Sequence, residues 1–399
     1  MAYEMTRGAA RSYAVRAAAF SASFFFANGA YMPFFPIWLA FHDLDPGEIS
    51  VILALPLLIR IFLSPILVGL ADRLPSVGAA STLYALLTAG LFLVPVLYPN
   101  FWTILIFIGA AQMFWSAVGP FTDATILFGA REHGIDYARV RLWGSVGFMC
   151  GSLAAAAAVQ KFSGDSVLGV LVAAYLVAAL IAFLSPRVPS PPVAAEKFGL
   201  RKALAEPTLR RALIAGTLTL GAHGVFYSFG TIYWQQHGFS GGLIGGLWAY
   251  SVAVEVTLFG VVKRLLPNWG ARRFILAGGI AGLIRWSLFP FAVEPVSAFV
   301  LQTLHGATFG MTHLGIMMAI GVISTPGHTA RLQATYQFCH GLMMAAAMGA
   351  GGPLFRLSPT VAFLAAAAVA LPSIYLAKGL PRGLQPQSSG SGGDTTPAE

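Results

Sequence analysis

The sequence predicts an all-α membrane protein of twelve transmembrane helices arranged as two pseudo-symmetric six-helix bundles, and three observations carry that prediction. Of 399 residues, 57% are hydrophobic and only 10% charged, against roughly a quarter charged in an ordinary soluble domain. Apolar stretches near the ~20 residues needed to cross a hydrocarbon core recur from the N-terminal region almost to the end. One long polar segment divides these stretches six and six, and the two sets match each other at a constant offset. A soluble enzyme is excluded by the composition alone.

The first apolar run, about 14–39, is too long for a signal-peptide core and lacks a clear cleavage site before the next span, so it stays as a helix. Helices 2 and 3, expected at 47–70 and 78–98, flank the turn Gly69-Leu-Ala-Asp72-Arg73. Helices 4 and 5, at 101–128 and 140–160, are joined by a short loop. Asp123 is expected at the end of the fourth and Arg141 at the start of the fifth, at similar depth and able to pair. Helix 6, at 166–184, completes an N-terminal bundle over residues 1–186. Residues 187–209, rich in Pro, Lys and Arg, read as a linker. The C-terminal bundle, 210–380, holds helices at 210–236, 241–265, 271–291, 295–323, 331–355 and 359–378. The tail 381–399 has Gly, Ser and Pro but no apolar anchor and is expected to be disordered. Membrane helices associate through small residues, and the pairs Gly147/Gly151, Gly241/Gly245, Gly278/Gly282 and Gly306/Gly310 mark such contacts.

The net charge of +9 raises the question of a nucleic-acid partner, which the distribution of basic residues answers. If the spans alternate from a cytoplasmic N-terminus, 20 of the 24 Lys and Arg fall on the cytoplasmic side. Lys161 and Arg356 lie outside, and Arg60 and Arg285 lie within apolar runs. The positive-inside bias places both termini in the cytoplasm, implies an inner-membrane location for a bacterial chain, and accounts for the basic excess without nucleic acid. Cys150 and Cys339 both fall within spans, so no disulfide or metal framework is expected. Nucleophile motifs and phosphate-binding loops are absent from the sequence, and no cofactor beyond a coupling proton is expected.

Sliding one half along the other gives an offset of 195. It pairs Ala27 with Ala222, Gly29 with Gly224, Tyr31 with Phe226, Phe34 with Phe229, Ile37 with Ile232, His42 with His237 and Gly47 with Gly242, without a gap. Parallel repeats of this kind are related by an axis along the membrane normal, with the substrate site near the midplane between them. The same offset pairs Asn28 with His223 and Arg60 with Glu255.

Polar side chains at membrane depth are costly and are functional candidates by default. Glu255 lies about 13 residues into helix 8, roughly 20 Å below its outer end at 1.5 Å per residue. A carboxylate there can shed its charge by taking a proton, as a reversible carrier must. Alternatively it forms a permanent ion pair with Arg285 of helix 9. Arg285, an always-charged fork of donors, suits a carboxylate of either the substrate or Glu255. Arg60 is a candidate for the cavity wall. Asp72 and Arg73 read as a conformational latch. His223, His305, His313 and His340 lie within spans, where imidazole is the side chain that titrates near neutrality. His305 and His313, eight residues apart, are separated by about 80° and ~12 Å along their helix. Tyr227 and Trp248 can stack on an aromatic substrate; Tyr233 and Trp234 suit either that role or an interfacial belt.

The segments Asp136-Tyr-Ala-Arg-Val-Arg-Leu-Trp-Gly-Ser145, Gly221-Ala-His-Gly-Val-Phe-Tyr227, Ile232-Tyr-Trp-Gln235, Leu304-His305 and Arg331-Leu-Gln-Ala-Thr-Tyr336, together with Glu255 and the helix 2–3 turn, resemble the major facilitator superfamily. The likeness is to its bacterial 3-phenylpropionate permease group, related to the lactose and nucleoside proton symporters. The resemblance implies the major facilitator fold and alternating access coupled to a proton. It implies that the pairs Asp123/Arg141 and Glu255/Arg285, with His305 or His313, serve substrate and proton binding, with Glu255, His305, His313 and Asp123 on the proton side and Arg141 and Arg285 on the substrate side. The polar and aromatic residues at membrane depth add Asn28, Arg60, His223, Tyr227 and Trp248 as candidate substrate contacts. The expectation is a monomeric importer of a small organic solute, foremost an aromatic carboxylate, with lipid and protons as its other partners. Nucleoside or sugar symport, drug or metabolite export, and a non-transporting sensor are the alternatives.

Overall fold

A computed structural model describes residues 7–189, 204–324 and 328–384. Residues 190–203 of the expected linker and 385–399 of the expected tail lie outside the described residues. Among the described residues twelve helices are long and apolar enough to cross a membrane. They are α1 (Arg7–Phe41), α2 (Pro46–Leu70), α3 (Val77–Leu97), α4 (Phe101–His133), α5 (Tyr137–Phe162), α6 (Ser166–Phe183), α7 (Pro207–Gln236), α8 (Gly241–Leu265), α9 (Ala271–Phe291), α10 (Pro295–Ile323), α11 (Thr329–Leu357) and α12 (Pro359–Lys378).

Local chemistry sets many of the helix ends. Asp45 and Glu48 form a reciprocal capping box around Pro46 at the start of α2, satisfying amides that the helix itself cannot. Asp136, Ser240 and Ser358 cap α5, α8 and α12. α4 stops where Gly134 turns left-handed, φ +63°. That stop lies well past 128, so Asp123 sits inside α4 rather than at its end. The polar run Arg131-Glu-His133 belongs to a final turn that hydrophobicity alone does not reveal. Likewise α7 begins at Pro207, with Glu206 capping the Thr208 and Leu209 amides.

Each half repeats one packing pattern. α1 packs against α4, α5 and α6, and α3 against α4 and α6; α7 packs correspondingly against α10, α11 and α12, and α9 against α10 and α12. Glycines bring α1 and α5 into backbone contact. Gly147 and Gly151 lie on the carbonyls of Ala22 and Phe26, and Gly29 lies on that of Phe148. In the second half Gly224, the repeat partner of Gly29, lies on the Met344 carbonyl of α11. The halves meet along α2/α11, α5/α8 and α1/α7.

Polar links cross between the halves near the face away from the termini. Arg356 Nη2 meets Asp45 Oδ1 at 2.5 Å. Ser50 donates to the Met348 carbonyl at 2.8 Å, and Ser152 to the Gly245 carbonyl at 3.2 Å. Gly352 rests on the backbone of Pro46, and Gly245 on Ser152 and Ala156. The amide of Glu48 is the largest influence holding the Asp45 carboxyl below the usual aspartate range; burial opposes it, and Arg356 and the Gly47 amide add to the lowering.

Candidate functional site

A cavity of about 510 Å³ lies between the halves. Asn28 and Tyr31 of α1, Arg60 of α2, Gln112 of α4, and Arg141, Ser145 and Phe148 of α5 line one side. Phe226 and Tyr227 of α7, Trp248 and Glu255 of α8, His305 and Phe309 of α10, and Gln337 and His340 of α11 line the other. The contacts around Asp45, Ser50 and Ser152 close the far end. Towards the termini the wall includes Arg141, whose guanidinium is part-exposed.

The aromatic wall is ordered by its own contacts. Trp248 stacks on Phe226 with centroids 5.0 Å apart and faces Phe148 of the other half at 6.5 Å. Its indole N–H donates to Thr231 Oγ1 at 3.1 Å. This orientation presents a ring face beside Tyr227, 5.6 Å away.

The charged residues form three separate arrangements. Arg141 Nε pairs with Asp123 Oδ1 at 3.3 Å, and its guanidinium lies 4.3 Å from the Phe25 ring centroid. Arg60 is exposed on the cavity wall, and no carboxylate among the described residues is within ion-pair distance of it. Glu255 Oε2 lies 3.3 Å from His305 Nε2.

Arg285 lies behind that last contact and is completely buried. Its Nη1 approaches His223 Nε2 and His305 Nδ1, both at 3.3 Å, and donates to Thr308 Oγ1 at 3.1 Å. Its Nη2 donates to Gln302 Oε1 at 2.5 Å. The guanidinium also lies over Trp286 and Phe226, at 4.5 and 5.2 Å. These contacts assign both imidazole tautomers, because guanidinium only donates. His223 Nδ1 donates back to the carbonyls of Thr219 and Leu220, leaving Nε2 to accept. His305 accepts from Arg285 at Nδ1, which leaves its proton on Nε2, the nitrogen 3.3 Å from Glu255 Oε2. His305 thus stands between Arg285 and Glu255.

This geometry revises several expectations. The direct Glu255–Arg285 pair does not form, because His305 stands between them. Arg285 and His223, expected among the substrate contacts, are behind the wall; the two terminal nitrogens of Arg285 and both ring nitrogens of His223 are engaged within the protein. His313 is also off the cavity lining, its Nδ1 2.9 Å from the Tyr336 hydroxyl, one side of a Phe309 ring that stacks on His305 at the other. Asp123 contributes through Arg141. Asn28, Arg60, Arg141, Tyr227, Trp248, Glu255 and His305 all line the cavity. Arg73 is exposed in a short turn after α2, and the Asp72 side chain lies outside the described residues.

Sequence reasoning missed Gln302 and Thr308, which hold Arg285, and Tyr31, Gln112, Phe148 and Gln337 on the wall. Gln302 carried a usable signal, a polar amide at membrane depth three residues before His305. Tyr31 carried another, as repeat partner of Phe226.

The chain matches the model of the MFS_1 like family over residues 18–365. It is 31% identical over 366 residues to the probable 3-phenylpropionic acid transporter of Escherichia coli (strain K12), covering 89% of this chain and 94% of that one. It is 28% identical over 298 residues to the maltose permease of Geobacillus stearothermophilus, covering 72% and 73%. Among solved structures, the nucleoside transporter NupG superposes with a TM-score of 0.77 at 14% identity, over 92% of this chain and 98% of that one. An inward-facing, unoccupied bacterial homologue of the human lysosomal transporter Spinster gives 0.67 at 13% identity, over 94% and 96%. At these identities the structural matches speak for the fold alone.

Proposed function

The chain belongs to the MFS_1 like family, major facilitator transporters rather than enzymes, and from that premise we propose that it is a proton-coupled symporter importing an aromatic carboxylate such as 3-phenylpropionate. The observation that carries the reading is the Glu255–His305 contact on the wall of a cavity that also holds stacked aromatic rings and an arginine with no acid partner among the described residues. The relative named for 3-phenylpropionic acid supports the substrate class.

In this reading the termini are cytoplasmic in the inner membrane, as the distribution of Lys and Arg favours. The closed face is then external, and the conformation faces inward. Glu255 is the proton carrier. Arg285 occupies the Nδ1 side of His305 with a donor, so the imidazole holds a single proton on Nε2 and the exchangeable proton resides on the carboxyl. Entering protons discharge Glu255, the substrate anion then meets less repulsion, and the loaded cavity passes between faces by rocking of the halves. Inside, release of substrate and proton resets the site.

The test is uptake into proteoliposomes under an inward proton gradient, with labelled 3-phenylpropionate beside nucleosides and sugars. Accumulation of the aromatic acid, abolished by a protonophore, is the expected result. Glu255→Gln is expected to lose gradient-driven accumulation while retaining exchange of substrate across the membrane. Full accumulation by that variant removes Glu255 from the coupling role, and failure of the acid to move removes the substrate assignment.

A further inference from the structure

We infer that Arg60 holds the substrate's carboxylate, so that the halves divide the work at one repeat-related position, the anion on α2 and the proton on α8. The inference rests on the proton-symport reading above and adds to it the identity of the anion site.

Three arginines are available near the cavity, and two are already engaged. Arg141 is paired with Asp123 at 3.3 Å and lies against the Phe25 ring. Arg285 is fully buried behind His305, with both terminal nitrogens on protein acceptors. Arg60 alone combines exposure to the cavity with the lack of an acid partner among the described residues. Tyr31 of α1 and His340 of α11, neither of them an acid, line the same cavity. A guanidinium held at membrane depth without a counter-ion is costly, and its planar fork is matched by a carboxylate.

The repeat gives this placement its meaning. Offset 195 carries Arg60 onto Glu255, and both residues line the same cavity from opposite halves. A substrate anchored at Arg60 has its ring in a cavity whose wall includes Phe148 from one half and Trp248 from the other. The titratable groups around Glu255 are Arg141 from α5, Tyr227 from α7, and His305 and His313 from α10, His313 standing off the cavity lining, while His340 lines the wall from α11. When Glu255 is ionised it repels an anion in the shared cavity; when protonated it does not. Anion and proton therefore favour each other's binding.

The experiment measures binding of 3-phenylpropionate and of its uncharged amide to purified wild type, Arg60→Gln, Arg60→Lys and Arg141→Gln, by tryptophan fluorescence across pH, with uptake measured in parallel. Loss of a charge-assisted contact is expected to weaken binding of the acid to Arg60→Gln by about 10- to 100-fold, with the amide within twofold of wild type. Arg60→Lys is expected to recover part of the affinity for the acid. The inference is overturned if Arg60→Gln binds the acid within twofold of wild type, if Arg141→Gln alone shows the acid-selective loss, or if both Arg60 variants lose acid and amide equally. A wild-type protein that binds the acid but fails to accumulate it overturns the symport reading and leaves the Arg60 assignment standing.

Discussion

Arg285 keeps a permanent charge at membrane depth by directing its terminal donors at His223, His305, Thr308 and Gln302 and laying its plane near Trp286 and Phe226. A lysine cannot reproduce that fork, since its ammonium is a compact point charge on a flexible stem. Arg285→Lys is therefore expected to destabilise the protein by about 1–3 kcal/mol, the cost of leaving a buried polar partner unsatisfied. A lowered melting temperature in detergent, with binding of the uncharged amide retained, is the checking result; an unchanged melting temperature contradicts it. At this scale the sequence displayed the charged groups but not their order. Glu255, Arg285 and His305 stand on three helices, and which one lies between the others depends on how each helix is rotated. The turns of α10 from Gly306 to Met311 are of the wide π type, and this shifts the helical phase between His305 and His313 from the regular 3.6-residue repeat. A regular wheel consequently could not decide which histidine meets the acid.

At the scale of the helix, contact between α1 and α5 depends on positions with no side chain. A Cβ at Gly147 meets the backbone of Ala22, and one at Gly151 meets that of Phe26. Gly147→Leu is expected to cost about 1–3 kcal/mol or more, because backbone cannot yield as a flexible side chain does. Loss of monodisperse protein on size exclusion, or a clear fall in melting temperature, is the expected readout. The four-residue glycine spacing made this seam visible from composition and period. Helix ends were less visible, because α4 and α7 extend through polar residues. Their ends are set by Gly134 and the Glu206 cap, signals weaker than the loss of hydrophobicity.

At the scale of the whole molecule, the sixfold division and the offset of 195 were legible, since duplication leaves matching residues at matching depth. The seams between halves were not, because they join segments hundreds of positions apart. Asp45 and Arg356 illustrate this. Arg356 read only as an external basic residue and Asp45 drew no reading, yet together they tie the start of α2 to the end of α11. Asp45→Asn is expected to shift the population towards conformations open on that face, seen as longer distances between spin labels on the α1–α2 and α11–α12 loops. Unchanged distances argue against a latch. The pH dependence follows from the lowered pKa of Asp45. A depressed carboxylate contributes its stabilisation fully above the ordinary aspartate pKa and loses it as pH falls through the folded value. The tie is therefore expected to persist at neutral and mildly acidic pH and to weaken only below about 4. The glycine contacts of α1 with α5, echoed by α7 with α11, also bear on mechanics. Helices joined backbone to backbone bend together, so each half acts as a stiff lever. Movement of one half against the other then falls to the seams between them, α2/α11, α5/α8 and α1/α7, so a displacement at one mouth is carried as a whole-lever rotation to the other.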